Sequence, residues 1–145
     1  MYHSLIFQDG NTIINTWDNW HLIPSSRPVI VQPTAVYKYI DIPGRDGQLD
    51  TTDYLIGRPT YSDRKGTFEF IVANGFEPWF ERRNKIAAFL NGRKMKVFLE
   101  DEPQYYYYGR FIFKEWRSEA NFSKVTIEYQ VDPYRYFIDG SRGGL

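Results

Sequence analysis

Few side chains in this sequence could do covalent chemistry, and their types bound what that chemistry would be. Two histidines, His3 and His21, lie 18 positions apart, both beside aromatic residues. A hydrolytic centre needs a base within hydrogen-bond reach of a nucleophile. The chain has no cysteine and no Gly-x-Ser-x-Gly segment. His21, following Trp20, reads as a packed or surface histidine, so no catalytic residue is assigned and no enzymatic activity is expected. Carboxylates cluster at Asp41, Asp46, Asp50 and Asp53, and Asp46-Gly47 invites comparison with a calcium loop. The register fails: with Gly47 sixth in the loop, Ile42 would stand first and Gly44 third, and neither supplies a side-chain oxygen. These residues read as turn formers, solvated groups or partners of Arg45, Arg58 and Arg64, and no metal is assigned. Gly44-Arg45-Asp46-Gly47 is neither a P-loop nor a dinucleotide fingerprint, so no cofactor is expected.

Binding is the remaining chemistry. The chain has 145 residues, with 18 Lys plus Arg balanced by 18 Asp plus Glu. A net charge of zero leaves no global field to attract nucleic acid or an anionic membrane. Tyr108-Gly109-Arg110-Phe111 interleaves rings with a cation, but without a repeated basic groove it reads as an ordinary strand. No apolar run reaches the ~20 residues of a membrane span. Met1-Tyr2-His3-Ser4 does not open a secretory signal. Rings, by contrast, are abundant: Tyr 12, Phe 11 and Trp 4, or 19% of the chain. Tyr105 to Tyr108 puts two rings on each face of a strand, and Trp17, Trp20 and His21 form a second group. Such rings suit either a carbohydrate-stacking platform or a thick core with a protein interface, since Tyr, Trp and Arg concentrate at interfaces.

The elements that must position these groups are mostly strands. Ser4 to Phe7 and Thr12 to Thr16, separated by Asp9-Gly10, read as a hairpin. Thr34 to Ile42 reads as a strand, and Pro43 to Pro59 as a long loop or loosely paired hairpin. Gly66 to Ala73 is a strand with Phe68, Phe70 and Val72 on one face, ended by Asn74-Gly75. Pro78 to Leu90 is the one helix. Pro78 suits the first turn, and Glu77 and Glu81 complement the positive end. Trp79, Ile86, Phe89 and Leu90 form the apolar stripe, Arg82, Arg83 and Lys85 face elsewhere, and Asn91-Gly92 is the C-cap. Lys94 to Leu99, Tyr105 to Trp116 and Lys124 to Val131 are three further strands, the last with the cleanest alternation. Turns fall at Glu100 to Pro103 and Ser118 to Asn121. The sum is a mainly β (α+β) fold, two packed antiparallel sheets (β-sandwich or split barrel) with one flanking helix. Residues 1–138 are expected as one domain and residues 139–145 as a flexible, glycine-rich tail.

An ordered set of motifs then resembles a known family. Ile42-Pro43-Gly44-Arg45-Asp46-Gly47-Gln48-Leu49-Asp50 is followed by Leu55-x-Gly57-Arg58-Pro59-x-Tyr61-x-x-Arg64 and Phe68-x-Phe70. Leu90-x-Gly92-x-x-Met95-x-Val97, Asp101-x-Pro103, Tyr106-Tyr107-Tyr108-Gly109-Arg110 and Val131-Asp132-Pro133-Tyr134 complete it. The set resembles the N-terminal domain of distal tail proteins of long-tailed, non-contractile bacteriophages, a tail-tube-like fold. The resemblance implies a structural virion protein, without enzymatic activity, of a phage or prophage tail. It implies a homo-hexameric ring at the tail tip, made in the bacterial host cytoplasm, joining the tail tube to the baseplate or tail fibre. Its implied partners are copies of itself, the tail-tube protein and the fibre or baseplate proteins, with DNA only passing through the lumen and no membrane. Many members carry a second, galectin-like or carbohydrate-binding domain beyond the segment matching Asp132-Pro133, whose receptor-binding roles are not carried over. On this reading the Pro43–Pro59 loop meets a neighbour through Arg45, Asp46, Asp50 and Arg58, and Trp17, Trp20 and Tyr106 anchor subunit contacts. The alternative is a carbohydrate-binding β-sandwich module using exposed rings.

Overall fold

The computed structural model describes residues 3–54, 56–73, 78–118 and 122–145. Leu55, the Asn74-Gly75 turn, Glu77 and residues 119–121 of the expected Ser118–Asn121 turn lie outside that set. The short alternating segments become strands β1 (Leu5–Asp9), β2 (Thr12–Asn15), β3 (Leu22–Pro24), β4 (Ala35–Val36), β5 (Tyr39–Asp41), β6 (Gln48–Asp50), β7 (Thr60–Tyr61) and β8 (Arg64–Val72). Helix α1 (Trp79–Leu90) follows, then β9 (Lys94–Leu99), β10 (Glu102–Ser118), β11 (Ser123–Val131), β12 (Arg135–Phe137) and β13 (Arg142–Gly144). Among the described residues the fold is mainly β with one helix, as expected, and every strand pair is antiparallel.

The main sheet runs β2-β1-β9-β10-β11-β8-β3, with β12 and β13 continuing from the first part of β10. Its two outermost strands, β2 and β3, are consecutive in the chain and joined only by residues 16–21. Laid flat, seven strands would hold those edges roughly 29 Å apart at about 4.8 Å per step. The sheet instead curls until Thr16 bridges the edges. Its Oγ1 accepts from Leu5 N–H (3.0 Å), its N–H donates to Leu5 O (3.0 Å), and its carbonyl accepts from Leu22 N–H (2.9 Å). The layers therefore take the form of a split barrel closed by one fully buried threonine.

Inside the curl lie Leu5, Phe7, Leu22, Phe68, Phe70, Met95, Val97, Phe111, Val125, Ile127, Tyr129 and Val131. These are the inward residues of the alternating strands, and Phe7 meets Phe111 edge-on at 5.1 Å. Helix α1 covers the core with Ile86 and Leu90, both fully buried. Asn91 at φ 34° ends it in the left-handed region, as its sequence predicts.

Four expectations need correction. The helix stripe is Arg82, Ile86 and Leu90, spaced by four, so Arg82 faces the core: its apolar stem is buried and its Nη1 donates to Ala73 O (3.0 Å). Trp79 sits on the flank of that stripe and is exposed, touching Trp116 and lying under Arg83. Thr34 to Ile42 is not one strand. It breaks into β4 and β5, and neither pairs with the main sheet. The 139–145 tail folds back: Asp139 accepts from the Ser141 N–H and hydroxyl, Gly140 turns at φ 93°, and β13 pairs with β12.

In β10 an extra residue between Phe113 and Glu115 shifts the register against β11. The bulge lets Lys114 point out beside Glu128 and turns Trp116 inward opposite Val125. The adjacent charges Lys114-Glu115, which break the period-2 pattern, are its trace in the sequence.

Candidate interaction surface

The segment between Thr34 and Ser62 is built as an arm. At its root, Ser62 N–H and Oγ–H both donate to Thr34 O (2.8 and 3.1 Å), and β4 pairs with β7. Beyond the root, Thr51 N–H donates to Lys38 O (2.7 Å) and Lys38 N–H donates to Thr52 Oγ1 (3.0 Å). β5 pairs with β6, and Ile42 to Gly47 forms the tip, with Gly44 and Gly47 at φ 80° and 73°. A β-branched residue at either glycine would be strained.

Two-stranded hairpins are marginal alone in water, and this one hides little. Tyr37, Tyr39 and Tyr54 are 61%, 53% and 69% exposed, and Val36, Ile40, Ile42 and Ile56 are exposed as well. Pairing fixes the faces. Tyr39 is opposite Asp50 and Asp41 opposite Gln48 on one face, while Ile40 is opposite Leu49 on the other. A concentration of exposed apolar side chains of this kind marks a contact surface.

The sequence-assigned residues distribute as follows. Arg45 and Asp46 are exposed at the tip, and Asp50 is exposed on the tyrosine face. Hydrogen bonds from Thr52 N–H and Oγ–H, the larger from the hydroxyl, hold the Asp50 carboxyl below its ordinary value. Arg58 is tied within its own chain, donating to Tyr134 Oη (3.0 Å), where it secures the arm's root. Trp17 is half-buried, edge-on to His21 at 5.5 Å. Trp20 and Tyr106 are not surface anchors: they are 3% and 7% exposed. Closure of the barrel folds Trp20 against Phe7 and Phe89, and β12 lays Tyr136 over Tyr106. Nor do Tyr105 to Tyr108 leave an open platform. Arg135 covers Tyr105, Tyr107 faces inward, and Lys94 covers Tyr108. Sequence reasoning missed the arm's Tyr37, Tyr39 and Tyr54. Their signal was apolar residues on both faces of one short strand, where a core strand shows one.

No three acidic or histidine side chains converge on one point among the described residues. Among the described residues the ionisable side chain with the least exposure is Arg64, 1% exposed at the foot of the arm. Its Nε donates to Pro133 O (3.0 Å) and its Nη1 to Val31 O (3.4 Å), with the guanidinium 5.2 Å from the Tyr107 ring centre. Val31 N–H donates to Tyr129 Oη (3.0 Å), so two side chains hold both backbone groups of one residue. Burial pushes the Tyr107 and Tyr129 hydroxyls above the ordinary tyrosine value of about 10. A raised value means that the folded state holds the proton more tightly. The stability it contributes is complete below about pH 10 and is lost as pH rises through the folded-state values. Denaturant melts between pH 8 and pH 11.5 should show a plateau, then a decline that the Tyr107→Phe/Tyr129→Phe double variant flattens. An unchanged slope in the double variant would assign the decline to other groups.

The described residues thus form a split barrel of antiparallel strands with one helix on its flank and an apolar arm. No protein-family model matches the chain, and no curated protein matches it significantly. Among solved structures it is similar to SPP1 Dit (gp 19.1), described as a paradigm of the hub adsorption apparatus in phages infecting Gram-positive bacteria. The two share 25% identity over 92% of this chain, with a TM-score of 0.65. The chain spans about half of that protein, 51% of its length.

Proposed function

We propose that this chain is a structural component of a phage or prophage tail, forming a hexameric ring at the distal end between the tail tube and the baseplate or fibre. The observation that carries the reading is an arm with exposed tyrosines and aliphatics on both faces, set on a body with the tail-hub fold. A closed ring of identical subunits needs one surface of each copy to meet a different surface of the next. A projecting arm supplies one such surface, with Arg45, Asp46 and Asp50 as its charged contacts. The partners are further copies of the chain, the tail-tube protein and the fibre or baseplate proteins, and the site of action is the virion. Among the described residues no helix is long and apolar enough to cross a membrane. Light scattering with negative-stain imaging should show rings of about 104 kDa, six copies of a 17.3 kDa chain. Arg45→Glu and Asp46→Lys, made singly, should disrupt the rings while leaving the monomer's melting temperature unchanged. A monomer at every soluble concentration, or open-ended stacks in place of rings, would count against the hub assignment.

A further inference from the structure

Register across four strands lines up cations on the outer face of the main sheet. Lys65 of β8 is opposite Gln130 of β11, Gln130 opposite Arg110 of β10, and Arg110 opposite Lys94 of β9. Their strand neighbours Met95, Phe111, Tyr129 and Val131 point into the core, so the line lies on the other face. Lys96, opposite Tyr108, adds a fourth cation one step along β9. Like charges directly opposed, as in Arg110 and Lys94, destabilise a sheet. Arg110 donates to the neutral Gly92 carbonyl (3.0 Å), and Lys94 and Lys96 lie over the rings of Tyr108 and Tyr106. None of the four cations makes an ion pair among the described residues. Asp63 and Asp132 border the same hollow as Lys94 and Arg110, Asp63 accepting from Gln130 (2.9 Å) and Asp132 from Tyr136 (3.0 Å), while Asp9 and Glu128 pair with Arg93 and Lys114.

The arm carries the opposite pattern. Asp41 and Asp50 share a face with Tyr37 and Tyr39. Each uses only Oδ1 internally, Asp41 toward Gln48 and Asp50 toward Thr52, which leaves both Oδ2 atoms for an outside donor. The two aspartates are diagonal neighbours across β5 and β6, about 7–8 Å apart. Lys96 and Arg110 are diagonal neighbours across β9 and β10, at the same spacing.

We propose that the Tyr39–Asp41–Asp50 face of the arm docks on the Lys94–Lys96–Arg110 face of a second copy of this chain. This rests on the ring reading and names the surface that receives the arm. The contact brings the arm's free Oδ2 atoms to the directly opposed cations and sets the arm's tyrosines against the side chains of Lys94 and Lys96, which lie over Tyr108 and Tyr106. Both patches are single-faced, so each subunit gives one and receives one, as a heterologous ring contact requires.

The test is a pair of charge reversals on the full chain, Asp41→Lys/Asp50→Lys and Lys94→Glu/Arg110→Glu, read by sedimentation velocity. The affected side chains are exposed, so both variants should melt with the parent, and circular dichroism checks this. Each alone should need at least roughly tenfold more protein than the parent for half-assembly, because like charges then meet across the contact. Mixed in equal amounts, they should restore assembly. In an alternating ring every reversed arm meets a reversed sheet and every natural arm a natural sheet. Restoration by mixing also requires the contact to lie between chains. Parent-like assembly of either variant, or mixtures that stay apart, would overturn the docking assignment and leave the ring reading intact if the parent still forms rings. A parent that never assembles removes both.

Discussion

Gly109→Ala should lower the melting temperature by roughly 6–12 °C, corresponding to about 3 kcal/mol in a chain of this length. A Cβ on Gly109 would stand 2.2 Å from Gln130 O and 2.5 Å from Val131 Cα. Both are backbone atoms of the paired strand, so no side-chain rotation relieves the clash. Gly109 lies where β10 changes partners: residues 105–106 pair with β12, and from Gly109 onward the strand pairs with β11. Asp132 N–H donates to Tyr108 O (2.9 Å) at the same corner, drawing the two backbones together. Glycine permits the tight bend that this requires. Gly66→Ala is the graded comparison, because its Cβ would meet the Tyr129 hydroxyl at 2.5 Å, the tip of a side chain that can swing. Its loss should be smaller and should free Val31 N–H. If Gly109→Ala melts within 2 °C of the parent, the close approach at this corner is absent in solution.

Arg64→Ala should cost about 3 kcal/mol. The substitution strips the carbonyls of Val31 and Pro133 of a donor, opens a void beside Tyr107 and unties residues 25–33 from the sheet. Burial of the guanidinium lowers its proton affinity, the mark of a charge held away from water. Glu102, whose charge acts on it, accepts from the Tyr107 hydroxyl (3.2 Å) and faces Arg135 at 3.8 Å. Arg64→Met, which fills the space and removes the desolvated charge, should recover roughly half of the loss. Arg64→Lys should not, since one ammonium cannot span two carbonyls on separate segments. Thermal melts rank the three, and hydrogen exchange at Val31 reports the untying directly. Arg64→Ala no worse than the same change at the exposed Arg27 would show that the buried bonds contribute nothing.

Alternation and capping are local signals, so β9, β11 and the end of α1 could be read from residues a few positions apart. Val125, Ile127, Tyr129 and Val131 face in as their spacing requires. Trp20 and Tyr106 could not be placed this way, because burial of each depends on a segment distant in sequence, β1 and α1 for one and β12 for the other. Arg64 and Arg82 ran against the expectation that cations are exposed. Each is buried only because a carbonyl from another segment meets its head. The Pro43–Pro59 segment stood out in the sequence by its glycines and length. Its apolar character began earlier, at Val36 to Ile40, inside what alternation presented as a core strand. The cationic line combines residues 65, 94, 110 and 130, and only the register of four strands brings them together.

Closure of the barrel also sets the order in which the chain can fold during synthesis. β1 finds its inner partner only at β9, with Leu5 opposite Leu99, and β3 finds its partner only at β8. β3 therefore has no permanent neighbour until about half of the chain exists, and β1 none beyond its own hairpin until about two-thirds does. At translation rates of about 5–20 residues per second that wait lasts several seconds. The apolar arm is synthesised within that wait, before β9 exists. Sheets assembled from such distant segments form slowly, so the exposed apolar arm is open to aggregation while the body completes its fold.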